Sequence, residues 1–257
     1  MGLMESLSLK GRTGIVTGSG QGLGRAFCQG FAEMGANVVV AEINEETGTK
    51  TAAELRDLGI EARFVRVDTT QQKDLDAAVK VALSINGRVD FMMNNAGISM
   101  WQEAEHVSAE DWRKLMAVNV DAVLFGCQAV FEVMKKQGKG SIINTASMSA
   151  HIVNVPQCQA SYNVSKAAVL HLTKSLAVEW AKYGIRVNSI SPGYMNGPMA
   201  GKHFDDPVIG PAWRGMTPMR RPGEPEELCG AAVLLASDAS SFTTGSDYVM
   251  DGGFTCV

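Results

Sequence analysis

Short apolar segments alternate with longer helical patterns along almost the whole chain, and this alternation limits the possible folds more than any other feature. The predicted strands cover residues 13–16, 37–41, 62–67, 91–94, 140–144, 186–190 and 247–249. The predicted helices cover residues 22–34, 45–58, 72–85, 109–136, 161–183 and 224–235. Apolar strands separated by helices form parallel sheets that are covered on both faces. The sequence therefore predicts a doubly wound α/β fold in which residues 1–257 form one domain.

The composition agrees with this prediction and argues against several other classes of protein. Hydrophobic residues make up 46% of the chain and charged residues 19%, which is enough apolar material for a large core. The net charge of −4 argues against nucleic-acid binding, and no apolar segment approaches the ~18 residues of a membrane span. Five scattered cysteines without CxxC spacing and four dispersed histidines predict neither disulfides nor a metal site. With no signal-peptide layout at the N-terminus, we expect a cytoplasmic protein.

A glycine-rich loop follows the first predicted strand. Residues 17–24 read TGSGQGLG, and the spacing that fits a phosphate-binding loop is Gly18-xxx-Gly22-x-Gly24. Between a strand and a helix, such a loop lets the backbone approach a pyrophosphate at the helix N-terminus. A flexible turn is the alternative. We expect the loop to bind a dinucleotide through Gly18, Ser19, Gln21, Gly22 and Leu23.

Acidic residues end the second and third predicted strands. The carboxylate of Glu42 can accept hydrogen bonds from the adenosine ribose hydroxyls, and its charge would repel the 2′-phosphate of NADP. The sequence therefore favours NAD as the cofactor. Asp68 either contacts the adenine or caps the helix that follows it, and we expect Thr69 to lie in the same site.

Tyr162 and Lys166 are four residues apart in a predicted helix and therefore share one face. A nearby cation favours the phenolate, so Lys166 is expected to lower the pKa of Tyr162 from about 10 toward neutral pH. A tyrosine with such a pKa can exchange a proton with an alcohol oxygen. The same spacing is also common in surface helices, so this interpretation depends on the rest of the chain.

From about residue 7 to residue 253, the motifs of the chain occur in the order typical of the short-chain dehydrogenase/reductase family. The chain resembles that family in the glycine loop, Asn94-Asn95-Ala96-Gly97, Asn119, Ser147, the Tyr162–Lys166 pair, Pro192-Gly193 and Asp251-Gly252-Gly253. The resemblance implies a Rossmann fold, a nicotinamide cofactor and the reversible oxidation of an alcohol. It also implies a homotetramer.

The resemblance assigns roles to individual residues. Tyr162 is expected to act as general acid and base, Lys166 to bind the nicotinamide ribose, and Ser147 to stabilise the substrate oxygen. Asn119 is expected to hold a water molecule of a proton relay. Further cofactor contacts are expected from Asn95, Ala96, Gly97, Pro192, Gly193 and Met195.

Two positions depart from the family pattern. Ser147 lies 15 residues before Tyr162, and Ser149 lies at the more usual spacing of 13, but the strand-end position of Ser147 favours it as the catalytic serine. Gly197 stands where many members have a threonine that binds the nicotinamide carboxamide. Either Asn196 or a backbone amide replaces that threonine, or the carboxamide is held more loosely.

The segment before Tyr162 resembles the polyol and ketose branch of the family. Its polar side chains would provide several hydroxyl-binding groups, although a polar surface loop is the alternative. The expected substrate contacts are Ser147, Ser149, His151, Asn154, Gln159, Tyr162 and Tyr194. The segment 192–222 is rich in glycine, proline and methionine, and it is predicted to be a long irregular lid over this site.

Two other functions are open at this stage. A 3-oxoacyl-carrier-protein reductase or a general carbonyl reductase would use the same catalytic residues. The arginines with which the former docks its acidic carrier correspond to Gln137 and Val178 here. An NAD-binding regulatory protein would keep the fold without turnover, but such proteins usually lack the tyrosine or the lysine. We therefore expect an oxidoreductase that transfers a hydride between NAD and a polyol or ketose.

Overall fold

The computed structural model describes residues 2–257, apart from the side chain of residue 202. Its centre is a parallel sheet of seven strands: β1 (Thr13–Thr17), β2 (Asn37–Glu42), β3 (Ala62–Arg66), β4 (Phe91–Asn94), β5 (Gly140–Thr145), β6 (Ile185–Pro192) and β7 (Asp247–Met250). The strands lie side by side in the order β3-β2-β1-β4-β5-β6-β7. The predicted doubly wound α/β fold is confirmed.

Helices cover both faces of the sheet. They are α1 (Leu3–Leu7), α2 (Gly22–Glu33), α3 (Glu45–Arg56), α4 (Gln72–Asn86), α5 (Ala109–Met116), α6 (Ala122–Gln137), α7 (Ala160–Trp180), α8 (Ile209–Met216) and α9 (Cys229–Ala236). Side chains of α2, α3 and α9 form one buried apolar cluster with the sheet, and those of α4, α6 and α7 form a second cluster. Burial on both faces explains why β1, β4 and β5 are buried along their whole length.

The direction in which the sheet grows reverses beside β1. The chain runs from β1 outward through β2 to β3 and then returns to form β4 on the other side of β1. At such a switch point the connections after the two neighbouring strands leave in opposite directions, which opens a crevice at the carboxyl ends of the strands. The loops after β1 and β4 therefore face each other across this crevice.

The helix predicted at residues 109–136 is not continuous. A π-helical turn at Ala117–Asp121 separates α5 from α6, and Asn119 lies at its centre. Such wide turns are rare and often occur at functional sites. By length and composition, the run Ala109–Gln137 could cross a membrane. In the fold, its buried side chains, such as Val130, pack on the sheet as expected of a core helix.

The segment 192–222 is more ordered than the sequence predicts. It contains a 3₁₀ turn at Gly201–Asp205 and the helix α8 at Ile209–Met216. Glycines and Pro211 hide this helix in the sequence, but proline is compatible with a first helical turn because its missing N–H needs no partner there. Trp213 is 1% exposed and anchors the segment to the rest of the protein.

Candidate active site

A cleft of about 410 Å³ lies at the switch point of the sheet. Nearly all of the predicted cofactor and catalytic residues line it, although they come from seven separate parts of the chain. They are Gly18, Gln21, Gly22, Leu23, Glu42, Asp68, Thr69, Asn95, Ala96, Gly97, Ser147, Tyr162, Lys166, Pro192, Gly193 and Met195. The parallel topology brings these residues together, because each follows a strand at the same edge of the sheet or lies on α7.

The glycine loop between β1 and α2 is closely packed. A Cβ atom on Gly24 would lie 2.0 Å from the carbonyl oxygen of Gly18, and one on Gly18 would lie 2.8 Å from Cα of Ala96. Nδ2 of Asn95 holds the loop by donating to the carbonyl oxygens of Thr17 and Gly18, each at 3.1 Å. The bare backbone at the N-terminus of α2 fits the pyrophosphate of a dinucleotide.

Ser19 is an exception among the predicted cofactor residues. Its side chain is fully buried, and its Oγ donates a hydrogen bond to the carbonyl oxygen of Ala41 at 3.3 Å. A hydroxyl group without solvent must find its partner inside the protein, and here that partner belongs to β2. The Ser19 side chain therefore faces away from the cleft, and the predicted cofactor contact of Ser19 stays a prediction that only its backbone could fulfil.

Glu42 ends β2 next to the glycine loop, and three backbone N–H groups hold its carboxylate. Oε2 accepts from Gly20 at 2.9 Å, and Oε1 accepts from Ile43 at 2.9 Å and from Asn44 at 3.0 Å. The side chain lines the cleft but is only 9% exposed. These bonds fix a negative charge in the cleft wall.

Asp68 and Thr69 line the cleft after β3. Oδ1 of Asp68 accepts hydrogen bonds from the N–H group and the hydroxyl group of Thr70, at 3.0 and 2.7 Å. The helix α4 begins after Gln71 and receives no side-chain cap from Asp68. Of the two interpretations of Asp68, the helix cap is therefore excluded.

Tyr162 and Lys166 lie one turn apart near the start of α7, and both face the cleft. Nζ of Lys166 lies 5.7 Å from the centroid of the Tyr162 ring and donates to the carbonyl oxygen of Thr145 at 2.8 Å. Burial lowers the pKa of Lys166 from its ordinary value of 10.5 to about 8.

Burial also raises the pKa of Tyr162 to about 12, although a hydrogen bond with Ser147 acts in the opposite direction. The predicted lowering of this pKa by Lys166 is not seen. The loss of hydration is the largest effect, and the hydrogen bond with Ser147 is the effect that opposes it. Tyr162 therefore keeps its proton at neutral pH, in the form that can donate to a carbonyl oxygen.

Ser147 follows β5 and completes the acid–base group. Its hydroxyl oxygen accepts from the backbone N–H of Ser149 at 3.1 Å, and its side chain hydrogen-bonds with Tyr162. Ser147 lines the cleft, whereas Ser149 is buried behind it. The structure thus brings Ser147 to the reacting position in spite of its longer spacing from Tyr162.

Asn119 lies behind the catalytic pair and is fully buried. Its Oδ1 accepts from the N–H of Ile98 at 2.9 Å, and its Nδ2 donates to the carbonyl oxygen of Ile98 and to Ser165. A Cβ atom on Gly97 would lie 3.4 Å from Oδ1 of Asn119 and 3.6 Å from Nζ of Lys166. The amide and the ammonium group therefore border the same small space beside Gly97.

Four of the predicted substrate contacts form one connected hydrogen-bond network: Ser149, Asn154, Gln159 and Tyr194. Nε2 of Gln159 donates to Oγ of Ser149 at 3.2 Å and to Oδ1 of Asn154 at 2.9 Å. Nδ2 of Asn154 in turn donates to the hydroxyl oxygen of Tyr194 at 3.0 Å. Segments that are 40 residues apart in the chain thus form one polar wall, which reaches Ser147 through the N–H of Ser149. Unlike Ser147 and Tyr162, these four residues are not among those that line the cleft.

Gln157 also belongs to this polar wall, although the sequence does not predict it as a site residue. Its Nε2 donates to the hydroxyl oxygen of Tyr194 at 3.0 Å, and its Oε1 accepts from the indole N–H of Trp213 at 3.1 Å. The one signal in the sequence is that two glutamines, Gln157 and Gln159, alternate just before the catalytic helix.

His151 does not join the polar wall. Its Nε2 lies 2.7 Å from Oδ2 of Asp247, whose Oδ1 accepts from the hydroxyl groups of Ser189 and Ser191. Successive residues of the 3₁₀ turn at Met148–Ala150 point in directions about a third of a turn apart, so His151 cannot share the orientation of Ser149. The predicted substrate contact is therefore corrected to a tether between this turn and β7.

The segment 192–222 covers the cleft next to the glycine loop. Pro198 lies so close to the loop that a Cβ atom on Gly22 would be 3.1 Å from its Cδ. Gly197 has a φ of +149°, a conformation that a β-branched threonine rarely adopts. Asn196 donates its side-chain amide to Glu224. The alternatives for the missing threonine, Asn196 or a backbone amide or a looser hold on the carboxamide, stay predictions.

Aromatic rings form the far end of the site. Tyr194 and Trp213 are stacked at a centroid distance of 3.7 Å with 9° between the ring planes. Trp101 stacks on His203 at 4.1 Å and meets the edge of Trp213 at 5.9 Å. These contacts pack the segment that carries α8 against the loop after β4.

Among the described residues, one group of side chains could share a cation, namely Glu103, Glu105 and His106. All three are exposed and lie outside the cleft. Exposed acidic groups commonly meet in this way without binding a metal, so we assign no metal to them.

The chain matches known proteins over nearly its whole length. A family model described as enoyl-(acyl carrier protein) reductase matches residues 18–255. A sorbose reductase of Candida albicans is 38% identical, and the match covers 99% of this chain and 90% of that protein. An NADP-dependent mannitol dehydrogenase of Hypocrea jecorina is 41% identical, and the match covers 98% of this chain and 96% of that protein.

A solved structure also resembles this chain over its whole length. A gluconate 5-dehydrogenase of Burkholderia cenocepacia, in complex with NADP and tartrate, is 36% identical and superposes with a TM-score of 0.94. The match covers 100% of both chains. Together with the Tyr162, Lys166 and Ser147 geometry, these matches identify the chain as a member of the short-chain dehydrogenase/reductase family, an oxidoreductase that acts on CH–OH groups with a nicotinamide dinucleotide.

Proposed function

We propose that this protein is an NAD-dependent polyol dehydrogenase, which oxidises a secondary alcohol of a sugar alcohol and reduces the corresponding ketose. The observation that carries the proposal is the polar wall beside Ser147 and Tyr162. A wall of amides and hydroxyl groups suits a substrate with several hydroxyl groups, whereas an acyl chain would bury it without hydrogen bonds. The names of the relatives, a sorbose reductase and a mannitol dehydrogenase, support the same substrate class.

In this mechanism the chain orients the alcohol and moves one proton. Oη of Tyr162 takes the hydroxyl proton during oxidation and returns it to the carbonyl oxygen during reduction. The hydroxyl group of Ser147 hydrogen-bonds the same oxygen and stabilises the charge that develops on it. Lys166 supplies positive charge behind the phenol. When bound, the nicotinamide ring accepts or gives up the hydride.

The carrier-protein alternative is not supported at the two positions where such a reductase would carry its docking arginines. The side chain of Gln137 is used inside the protein, because it accepts from the N–H of Val89 and donates to its carbonyl oxygen. Val178 is 82% exposed and apolar. Neither residue offers a positive charge to an acidic carrier.

A substrate panel tests the proposal. Initial rates would be measured with NAD against several polyols, and with NADH against ketoses and acetoacetyl esters. We expect turnover of at least one polyol and its ketose. Turnover confined to acetoacetyl esters would contradict the proposal, and cofactor binding without any turnover would instead favour a regulatory protein.

The preference for NAD over NADP rests on the fixed charge of Glu42. We expect Glu42→Gln to raise the ratio of kcat/KM for NADP to kcat/KM for NAD by about tenfold to a hundredfold, because a charged hydrogen-bond acceptor and a repulsive charge are lost together. Glu45→Gln is the matched control, since Glu45 is exposed in the first turn of α3. Wild-type enzyme that prefers NADP, as the name of the mannitol dehydrogenase relative states for that protein, would contradict the assignment.

The raised pKa of Tyr162 predicts different pH dependences for the two directions. Reduction needs the protonated phenol, which persists well above neutral pH, so its initial rate should change little between about pH 6 and pH 8. Oxidation needs the phenol to lose its proton, so its initial rate should rise across the same range. Both rates would be measured at saturating substrate. A reduction rate that rises with pH would contradict the assigned role of Tyr162.

The proposal includes a homotetramer in a reducing compartment, such as the cytoplasm. Apolar side chains that a larger assembly would cover are exposed, among them Val178 on α7 and Phe242. All five cysteines are free thiols, which suits a reducing environment. Light scattering on the purified protein would give the mass, and a monomer would contradict the assembly.

A further inference from the structure

The hydrogen-bond directions around Tyr194 follow from one group, the indole of Trp213. An indole N–H can donate a hydrogen bond but cannot accept one. Trp213 is 1% exposed, and its Nε1 lies 3.1 Å from Oε1 of Gln157. Gln157 must therefore accept at this point. Its carbonyl oxygen faces Trp213, and its NH₂ group faces the opposite side.

The orientation of the Gln157 amide determines the orientation of the neighbouring amides. Its two Nε2 protons go to Oε1 of Gln159 at 3.2 Å and to the hydroxyl oxygen of Tyr194 at 3.0 Å. Because Gln159 accepts through Oε1, its Nε2 must donate. Three acceptors share its two protons, namely Oδ1 of Asn154 and of Asn163, both at 2.9 Å, and Oγ of Ser149 at 3.2 Å. With its oxygen used in this way, Asn154 turns Nδ2 toward Tyr194 at 3.0 Å.

The hydroxyl oxygen of Tyr194 therefore accepts two hydrogen bonds, one from each amide. Neither NH₂ group can accept the phenol proton in return. The O–H bond must point in the remaining direction, away from both amides. The polar wall thus presents Tyr194 as a hydrogen-bond donor whose acceptor lies outside the network.

Tyr194 stands next to the reacting groups. Its phenol is close enough to contribute to the raised pKa of Tyr162, and the polar wall connects it through Ser149 to Ser147. The ring of Tyr194 is backed by Trp213 at 3.7 Å. Burial raises the pKa of Tyr194, so its proton stays in place at neutral pH.

We infer that Tyr194 donates its hydroxyl proton to a substrate oxygen near the reacting carbon, and that Trp213 fixes this direction through Gln157. Tyr194 touches the substrate in this assignment, whereas Gln157 and Trp213 are positioning residues. A hydroxyl group that can only donate favours a substrate with an oxygen atom at this position, because a methylene group cannot accept the hydrogen bond. The inference rests on the proposed function for the class of substrate, but the direction of the bonds follows from the chain itself.

Tyr194→Phe removes the donor and keeps the stacked ring. The readout is the ratio of kcat/KM for a vicinal diol to kcat/KM for the secondary mono-alcohol with the same carbon skeleton. We expect this ratio to fall about tenfold, mainly through a higher KM for the diol. Tyr183→Phe is the matched control, because Tyr183 lies beyond the other end of α7. A ratio that is unchanged in Tyr194→Phe would overturn the inference.

Gln157→Glu tests the direction of the network. An ionised glutamate has no N–H group, so it would accept from both Trp213 and Tyr194 and turn the phenol proton away from the substrate. We expect the diol preference to fall as far as in Tyr194→Phe, and the double variant to show no further loss. Gln29→Glu, on the exposed side of α2, controls for the added charge. Losses that add up in the double variant would show that Gln157 acts independently of Tyr194 and would overturn the assignment.

A neutron crystal structure of the wild-type protein decides the direction without a substrate. We expect the deuteron on Tyr194 to point away from Gln157 and Asn154. A deuteron on the line to either amide would overturn the inference, even in an enzyme that oxidises polyols. If the substrate panel instead shows no polyol turnover, the proposed function fails, and the deuteron positions still decide the inference.

Discussion

Replacing Tyr162 with phenylalanine is expected to lower kcat for alcohol oxidation by about three orders of magnitude, in the middle of the range for a positioned acid or base. The variant keeps the ring in the cleft wall and lacks only the hydroxyl group that hydrogen-bonds with Ser147. Cofactor binding should change little, because most residues that line the cofactor cleft belong to the loops after the strands. Steady-state rates in both directions and calorimetric titration with the cofactor would measure the two effects.

The control for this variant is Tyr183→Phe, which removes a phenol hydroxyl group outside the cleft. We expect wild-type rates from it. Turnover of Tyr162→Phe within about tenfold of the wild type would mean that another group moves the proton. Loss of cofactor affinity in the same variant would mean that Tyr162 acts in binding and not in proton transfer.

Lys166→Met is expected to lower kcat by about a hundredfold. The ammonium group of Lys166 lies 5.7 Å from the centroid of the Tyr162 ring, and a cation this close favours an anion by about one to three pK units. The methionine fills nearly the same space but cannot stabilise the phenolate that forms as Tyr162 gives up its proton. The hydrogen bond to Thr145 is lost as well. Lys174→Met is the matched control, since Lys174 is exposed on the same helix. Equal rates in Lys166→Met and Lys174→Met would contradict the role of Lys166.

Lys166→Met should also change how stability depends on pH. Folding lowers the pKa of Lys166 from 10.5 to about 8, so between these values the unfolded chain binds the extra proton. Wild-type stability therefore rises with pH in this window, and below it the buried charge costs about 3 kcal/mol.

The variant does not bury that charge. Its free energy of unfolding, relative to that of the wild type, is therefore higher at neutral pH than at high pH. The difference between their unfolding free energies should fall by about 3 kcal/mol from about pH 7 to about pH 11. Urea unfolding at both pH values would measure it, and other titrating groups cancel in the difference. A difference that does not depend on pH would show that Lys166 is not buried as a charge.

The fold could be predicted because the central strands β1, β2, β4 and β5 are buried almost along their whole length and contain short apolar runs. The edge strands β3 and β7 are partly exposed. The parallel order then places the loops after β1 and β4 at one edge. The helix α8 could not be predicted in the same way. Its stability comes from Trp213, whose ring packs on Tyr194 and whose indole binds Gln157, and such contacts leave no period in the sequence.

The residues of the candidate site could be predicted where the course of the backbone determines their position. The glycine loop follows from its spacing between a strand and a helix, whereas Asn95 and the Tyr162–Lys166 pair also need the family resemblance; the structure brings them to one cleft. Side-chain direction was harder to predict. Nothing in the sequence shows that the Ser19 hydroxyl turns toward β2 or that His151 turns toward Asp247.

The pKa of Tyr162 could not be predicted either. The sequence reveals the neighbouring lysine but not the degree of burial, and burial is the largest effect on this pKa.

The most direct test of the account follows the hydrogen on the carbinol carbon. A polyol that the enzyme oxidises would be prepared with deuterium on that carbon, and the reduced cofactor would be analysed by mass spectrometry with wild-type protein and with Tyr162→Phe. The account predicts one deuterium atom in each molecule of reduced cofactor formed by the wild type, and almost no reduced cofactor from the variant. Reduced cofactor without deuterium, or equal yields from both proteins, would contradict hydride transfer with Tyr162 as the acid–base group.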